Sequence, residues 1–159
     1  MPSDIHIFIP DIKGESLIAG HEEEIQLLSF DWGVSQLAGS VNTVSSCNIT
    51  DLSISKLYCR ASPVLMTACT TARKIDEIKL TVAKAGGNRL VYLTAIMKEA
   101  IISNMHINLQ SSDESGVVHE SVSIRFEEIE ITYQQQGTDG DPLGGEVMTS
   151  YLIPSADLE

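Results

Sequence analysis

The sequence predicts a mainly β fold in one domain, with strands bent strongly enough to close as a barrel or sandwich, one short α-helix and one extended loop. Three observations lead there. Short runs of alternating polarity dominate the chain, and a period of two puts successive side chains on opposite faces of a strand. Two of those runs change phase partway along, as a bulge or a corner between two sheets requires. Helical spacing is clear in one segment only, and 159 residues suit one ordinary domain.

The first strand is read from Ile5, Ile7 and Ile9, which alternate with His6, Phe8 and Pro10, and Lys13-Gly14-Glu15-Ser16 turns the chain after it. The next run changes phase, because Leu27 is followed by Leu28, Phe30 and Trp32. Leu28, Phe30 and Trp32 read as core, which turns Ser29 and Asp31 to the opposite face. Residues 33–50 then carry no charge at all in a strongly acidic chain. Gly33, Val34, Ser35, Gln36, Leu37, Val41 and Val44 make this an extended interaction loop, its spaced apolar side chains seeking a partner surface. We expect the arm to lie against a neighbouring subunit, and Asp at Val41 and Val44 to weaken assembly.

The helix starts with Ser62 as N-cap and Pro63 at the first helical position. Leu65, Cys69 and Ala72 form its apolar stripe, and Arg73 and Lys74 bring positive charge to its C-terminal end. Ile78, Leu80 and Val82 alternate in the next strand, and Ala85-Gly86-Gly87-Asn88 reads as a hairpin turn. After the polar loop 111–116, Val122, Ile124 and Phe126 alternate until Glu127 and Glu128 switch the phase to Ile129, Ile131 and Tyr133. A tail over 136–159 is rich in Gly, Asp and Pro at first and then allows a last strand over 147–153.

The net charge is -12, which repels phosphate backbones and anionic lipid heads, so neither nucleic acid nor membrane is an expected partner. Cys47, Cys59 and Cys69 are odd in number and form no CxxC pair, which favours a reducing folding compartment. The N-terminus lacks a basic segment followed by an apolar run, so synthesis in the cytoplasm without a signal peptide is expected.

No catalytic residue, metal site or cofactor is predicted. His6, His21, His106 and His119 are scattered, and none lies in a nucleophile motif. His21 beside Glu22, Glu23 and Glu24 lacks the second histidine of a zinc site. Asp139-Gly140-Asp141 lacks the other ligands of a calcium loop. Charge segregation says more. Arg73, Lys74, Lys79, Lys84 and Arg89 are half of the 10 basic residues, opposed locally only by Asp76 and Glu77. A basic patch on an acidic subunit favours head-to-tail contacts between copies, which close into rings or extend as filaments.

Several segments, in order along nearly the whole chain, resemble the haemolysin-coregulated protein (Hcp) family of type VI secretion systems. Ile9-Pro10-Asp11-Ile12-Lys13-Gly14-Glu15-Ser16 is similar to its opening strand and turn. His21-Glu22-Glu23-Glu24-Ile25 and Leu28 to Gln36 are similar to its second strand and extended loop. Asp51-Leu52-Ser53 resembles the return strand, Ser62 to Cys69 the helix, Leu80 to Gly87 with Tyr92-Leu93 the hairpin, and Glu120 to Phe126 with Ile131-Thr132-Tyr133 the late strand. Two departures stand out: Thr70-Thr71-Ala72-Arg73, where relatives often place Gly-Lys, and Asp31, where a small neutral residue is common.

The resemblance implies a compact β-barrel of two bent antiparallel sheets over 1–159, assembling as a homohexameric ring. It implies rings stacked into a tube that leaves the cell, with spike and sheath or baseplate components as partners and small effector proteins in the lumen. Ser29 and Asp31 would then line the channel. The competing reading is a monomeric β-barrel binding module for a small ligand, with the arm as its lid.

Overall fold

Alternation of apolar and small polar side chains converts to strands along most of the chain. The computed structural model describes residues 3–36, 47–84 and 90–153. In chain order these hold β1 (Ser3–Phe8), β2 (Ile25–Leu27), β3 (Ser29–Asp31), β4 (Val34–Gln36), β5 (Cys47–Ile49) and β6 (Leu52–Leu57). After α1 (Ser62–Thr70) come β7 (Ile75–Lys84), β8 (Val91–Asn108), β9 (His119–Arg125), β10 (Glu128–Tyr133) and β11 (Val147–Leu152). The predicted turn at 85–88, with Arg89, falls outside the described residues.

Among the described residues every strand pairing is antiparallel; nine strands follow the path β2-β1-β7-β8-β9-β6-β3, with β10 on β8 and β11 on β10, and β4 and β5 pair apart from them. β8 organises the architecture. Its first half lies between β7 and β10, and its second half pairs with β9. Between the halves stands Glu99, a non-glycine residue at φ 52, and a register shift follows between Ile102 and Asn104. The strand therefore bends out of one sheet into the other.

Both predicted phase changes are corners of this kind. β9 pairs with β6 and the second half of β8, whereas β10 pairs with the first half of β8, so the chain crosses between sheets at Glu127. Likewise β2 pairs with β1 and β3 with β6, and the crossing is at Leu28. Leu28 is 52% exposed, which corrects its assignment to the core: the residue at the switch belongs to neither inward phase. The predicted closure also needs correction. The hydrogen-bonded path has two ends, β2 and β3, joined through the chain at Leu28 and not by a ladder, so the sheets do not close into a barrel.

Between the bent sheets lie Ile7, Ile25, Ile54, Ile78, Leu80, Met97, Ile102 and Ile124, all essentially inaccessible to solvent. α1 seals this core against β8 with Leu65 and Ala68. Its start departs from the sequence reading. Ala61, not Ser62, is the N-cap, and no side-chain cap bond forms, because the Ser62 hydroxyl is drawn inward to buried partners. The helix ends at Thr70, so Ala72 leaves the apolar stripe and no basic residue stands in the last turn. Arg73 instead reaches the Asp11 carboxylate at 3.5 Å on the surface.

The stop itself is a Schellman turn. Arg73 N–H donates to Ala68 O at 3.0 Å and Ala72 N–H to Cys69 O at 3.2 Å, the two bonds that define the motif. Ala72 occupies its left-handed position at φ 50, where a Cβ crowds the neighbouring carbonyl and glycine is unstrained. Ala72→Gly is therefore expected to stabilise the fold by about 1 kcal/mol, read as a higher urea midpoint at unchanged slope.

Candidate assembly surfaces

Lys56 and Glu120 each sit in the apolar phase of their strands, following Leu52 and Ile54 in β6 and preceding Val122 and Ile124 in β9. The register puts them directly opposite. Both are fully buried, and Lys56 Nζ lies 2.7 Å from Glu120 Oε2. The ammonium also donates to Leu57 O at 3.1 Å and Ser62 Oγ at 2.9 Å, and the Ser62 hydroxyl donates to Glu120 Oε2 at 2.6 Å. A serine beside a lysine suggests a nucleophile and its base. Here the hydroxyl proton points to a carboxylate, and Ser62 is 1% exposed, so no substrate reaches it. This cluster fastens α1 to the sheet. The signal for it was present in the sequence, as a lysine and a glutamate in inward positions, and was not read.

The opposite faces of the same strands are small and polar. Ser29, Ser55, Ser121 and His106 follow one another across β3, β6, β9 and β8, and Asp31, Ser53, Ser123 and Asn104 form the adjacent row. Four strands about 4.8 Å apart make a hydroxyl-rich face roughly 14 Å across. The predicted pair Ser29 and Asp31 occupies its edge, exposed, with Phe30 turned inward as expected. Sequence reasoning singled out that edge and missed the six residues beside it.

The uncharged arm leaves the body as a two-stranded ribbon. β4 pairs with β5 through Val34–Ile49, Ser35–Asn48 and Gln36–Cys47. Thr50 pins its base, accepting from Gly33 N–H at 3.0 Å through its hydroxyl oxygen while its own N–H donates to Gly33 O at 3.1 Å. Val34, Ser35 and Gln36 are all exposed, Val34 at 60%. Leu37, Val41 and Val44 lie outside the described residues. Beside the ribbon runs a groove of about 380 Å³ lined by Trp32, Val34, Ile49, Ile129, Ile131 and Tyr151, among others. The Cys47 thiol beside the Tyr151 phenol there pushes its pKa above the usual range. Apart from that contact β11 is exposed on both faces, including Val147, Met148 and Leu152.

Of the predicted basic residues, Arg73, Lys74, Lys79 and Lys84 are described, and they are distributed along β7 and its approach. Arg73 and Lys74 precede β7 and Lys84 ends it, a separation of roughly 30 Å. Lys79 lies between them, facing a groove that also holds Glu24, Glu77 and Glu146. Lys84 Nζ stands 5.9 Å from the Tyr92 ring centroid. Among the described residues, no group of three metal-ligating side chains comes together, and no helix is long and apolar enough to cross a membrane.

Comparison with known proteins points one way. The family described as "Type VI secretion system effector, Hcp" matches residues 6–133. Protein hcp1 of Pseudomonas aeruginosa strain PAO1 is 35% identical over 158 residues, covering 96% of both chains. The "Major exported protein" of the same strain is 23% identical over 141 residues, covering 84% of this chain and 82% of that one. Among solved structures, Hcp1 from Salmonella typhimurium superposes with a TM-score of 0.80 at 29% identity, covering 96% of both chains.

Proposed function

The chain belongs to the Hcp family of type VI secretion proteins, and from that premise we propose that it is a structural subunit of the secretion tube. Six copies close into a ring, rings stack head to tail, and the protein is itself exported. Synthesis in the cytoplasm precedes assembly, and the spike and the sheath or baseplate of the apparatus are its partners. The observation that carries this reading is the division of the surface. One broad face is built from small hydroxyls on four strands, while apolar side chains stand exposed on the arm ribbon and on β11.

Those two kinds of surface suit two tasks. A hydroxyl-rich face stays hydrated and offers donors and acceptors without deep desolvation, which fits a channel wall along which a folded effector must slide. Exposed Val34, Val147, Met148 and Leu152 fit contacts that become buried between copies. Arg73 and Lys74 at one end of β7 and Lys84 at the other provide positive charge for the head-to-tail contact. Among the described residues, the cluster that brings Ser62, Lys56 and Glu120 together is sealed in the core, so a structural role fits the molecule better than catalysis.

Light scattering on the purified chain tests this. A single species of six 17.3 kDa chains is expected, and a monomer at micromolar concentration would favour the small-ligand carrier. Six copies of Asp31 would add an acidic belt to the channel. Asp31→Ser is expected to leave the ring intact and to weaken retention of a basic effector several-fold in pull-down at low salt, with the difference fading as salt rises.

A further inference from the structure

The outer face of β7 floors a groove of about 610 Å³, the size of an ordinary ligand site. Leu80 and Val82 of β7 lie in the core, so period two turns Lys79 and Thr81 outward into the groove. Register sets Phe8 of β1 beside Lys79, and Thr94 of β8 beside Thr81. The segment ahead of β2 supplies one wall with Glu24, and Glu146, just ahead of β11, supplies another. Phe8 is 49% exposed there and offers an apolar surface.

Three polar groups in the groove are without partners. Thr81 is only 6% exposed, and its hydroxyl oxygen is buried with no hydrogen-bond partner among the described residues. A buried hydroxyl left in that state costs free energy, which an occupant able to donate to it or accept from it would offset. Glu77 faces Lys98 across the β7–β8 ladder, yet neither Glu77 nor Glu146 holds an ion pair among the described residues. Glu24 differs, since its Oε1 is 3.1 Å from His21 Nδ1.

The two free carboxylates stand at opposite ends. Tyr133 pairs with both Leu93 and Val147, which sets Glu146 level with Tyr92, whereas Glu77 is level with Lys98. Both side chains line the groove between those levels. Two cationic groups about 13 Å apart, the span of four residues of extended chain, would meet one carboxylate each.

We infer that this groove binds an extended segment of another protein that carries two basic side chains four residues apart. The basic side chains meet Glu77 and Glu146, and the aliphatic stem of one lies on Phe8. The backbone of the segment uses the middle of the groove, where its amides satisfy the Thr81 hydroxyl and its carbonyls accept from Lys79. A metal ion does not fit, because no three ligating side chains gather among the described residues. A linear polyamine fits less well than a peptide, because it has no acceptor for Lys79 and sets cationic charge against it. This site goes beyond the tube reading and does not depend on it.

Fluorescence anisotropy on the full chain tests the groove with a labelled, end-capped peptide, Gly-Arg-Ser-Ala-Ser-Arg-Gly. Saturable one-to-one binding that weakens as salt rises is expected. Glu77→Gln with Glu146→Gln is expected to weaken it about tenfold and to leave the oligomeric state unchanged by light scattering. Thr81→Val is expected to weaken it about fivefold without lowering the urea midpoint, a separation that a purely structural hydroxyl would not give. Equal affinity for a peptide with the two arginines adjacent overturns the proposal, as does unchanged binding in the Gln double variant. Spermidine bound as tightly as the peptide overturns the peptide occupant. Loss of assembly in the double variant assigns the groove to a contact between copies and likewise overturns it. A parent that is monomeric yet binds the spaced peptide supports the groove while removing the tube reading.

Discussion

Glu120→Ala is expected to lower the free energy of unfolding by about 3–5 kcal/mol, roughly half the stability of many single domains. The reason is the asymmetry of a buried ion pair. With Glu120 removed, the Lys56 ammonium stays fully inaccessible to solvent and loses its only buried counter-charge among the described residues. It retains Leu57 O and Ser62 Oγ, which are dipoles and do not replace a carboxylate. Replacing both members by apolar side chains of similar size removes the desolvation cost together with the attraction. Lys56→Met with Glu120→Leu is accordingly expected to fall within about 2 kcal/mol of the parent. One oxygen of Glu120 has no hydrogen-bond partner among the described residues, so the pair is incompletely satisfied and its replacement forfeits less. Urea unfolding of all three proteins at one protomer concentration reads the result, and a single variant as stable as the parent would show that the pair contributes nothing.

The second large effect concerns assembly. Val41→Asp with Val44→Asp is expected to weaken each subunit contact about a thousandfold and to leave monomers with unchanged circular dichroism. Burying an unpaired carboxylate in an apolar contact costs on the order of 2 kcal/mol or more, and two per contact give about 4 kcal/mol, which is three decades in affinity. Both residues lie outside the described residues. The expectation rests on the uncharged sequence of 33–50 and on the exposure of Val34 in β4. Sedimentation across a concentration series checks it, and rings persisting at nanomolar protomer would remove the arm from the interface.

The corners of this fold were legible because they are written in hydrophobic phase. Leu27 to Phe30 and Phe126 to Ile129 each step three residues where alternation takes two, and each marks a crossing between sheets. The bend in β8 carries no such mark. Glu99 takes a left-handed conformation that sequence assigns to glycine or asparagine, and pairing of its neighbours Lys98, Ala100 and Ile101 with β10, β7 and β9 holds it there. Ser62 was misread for a related reason. Ser-Pro ahead of an apolar run has the pattern of a cap, yet the hydroxyl finds stronger partners in Lys56 of β6 and in Glu120 of β9, 58 residues along the chain. Closure of the sheet was over-read, since phase shows where a strand turns but not whether its last ladder forms. The serine rows at 53 and 55 and at 121 and 123 were plain in the alternation, and only the register revealed that they align.

The position of β1 has a consequence for the order in which the chain can fold as it is made. Its partners are β2 on one edge and β7 on the other, and Phe8 pairs with Lys79. At a synthesis rate of about 5–20 residues per second, β1 waits roughly 4–14 seconds for that second partner. Throughout that interval a strand of alternating isoleucines presents an open edge, a template on which another nascent chain can add. β2 follows within a few seconds, pairing Ile5 with Leu27 and Ile7 with Ile25, and so guards one edge early. The other edge stays open until β7 has emerged, so crowding of ribosomes on one message exposes this chain to misassembly before its fold is complete.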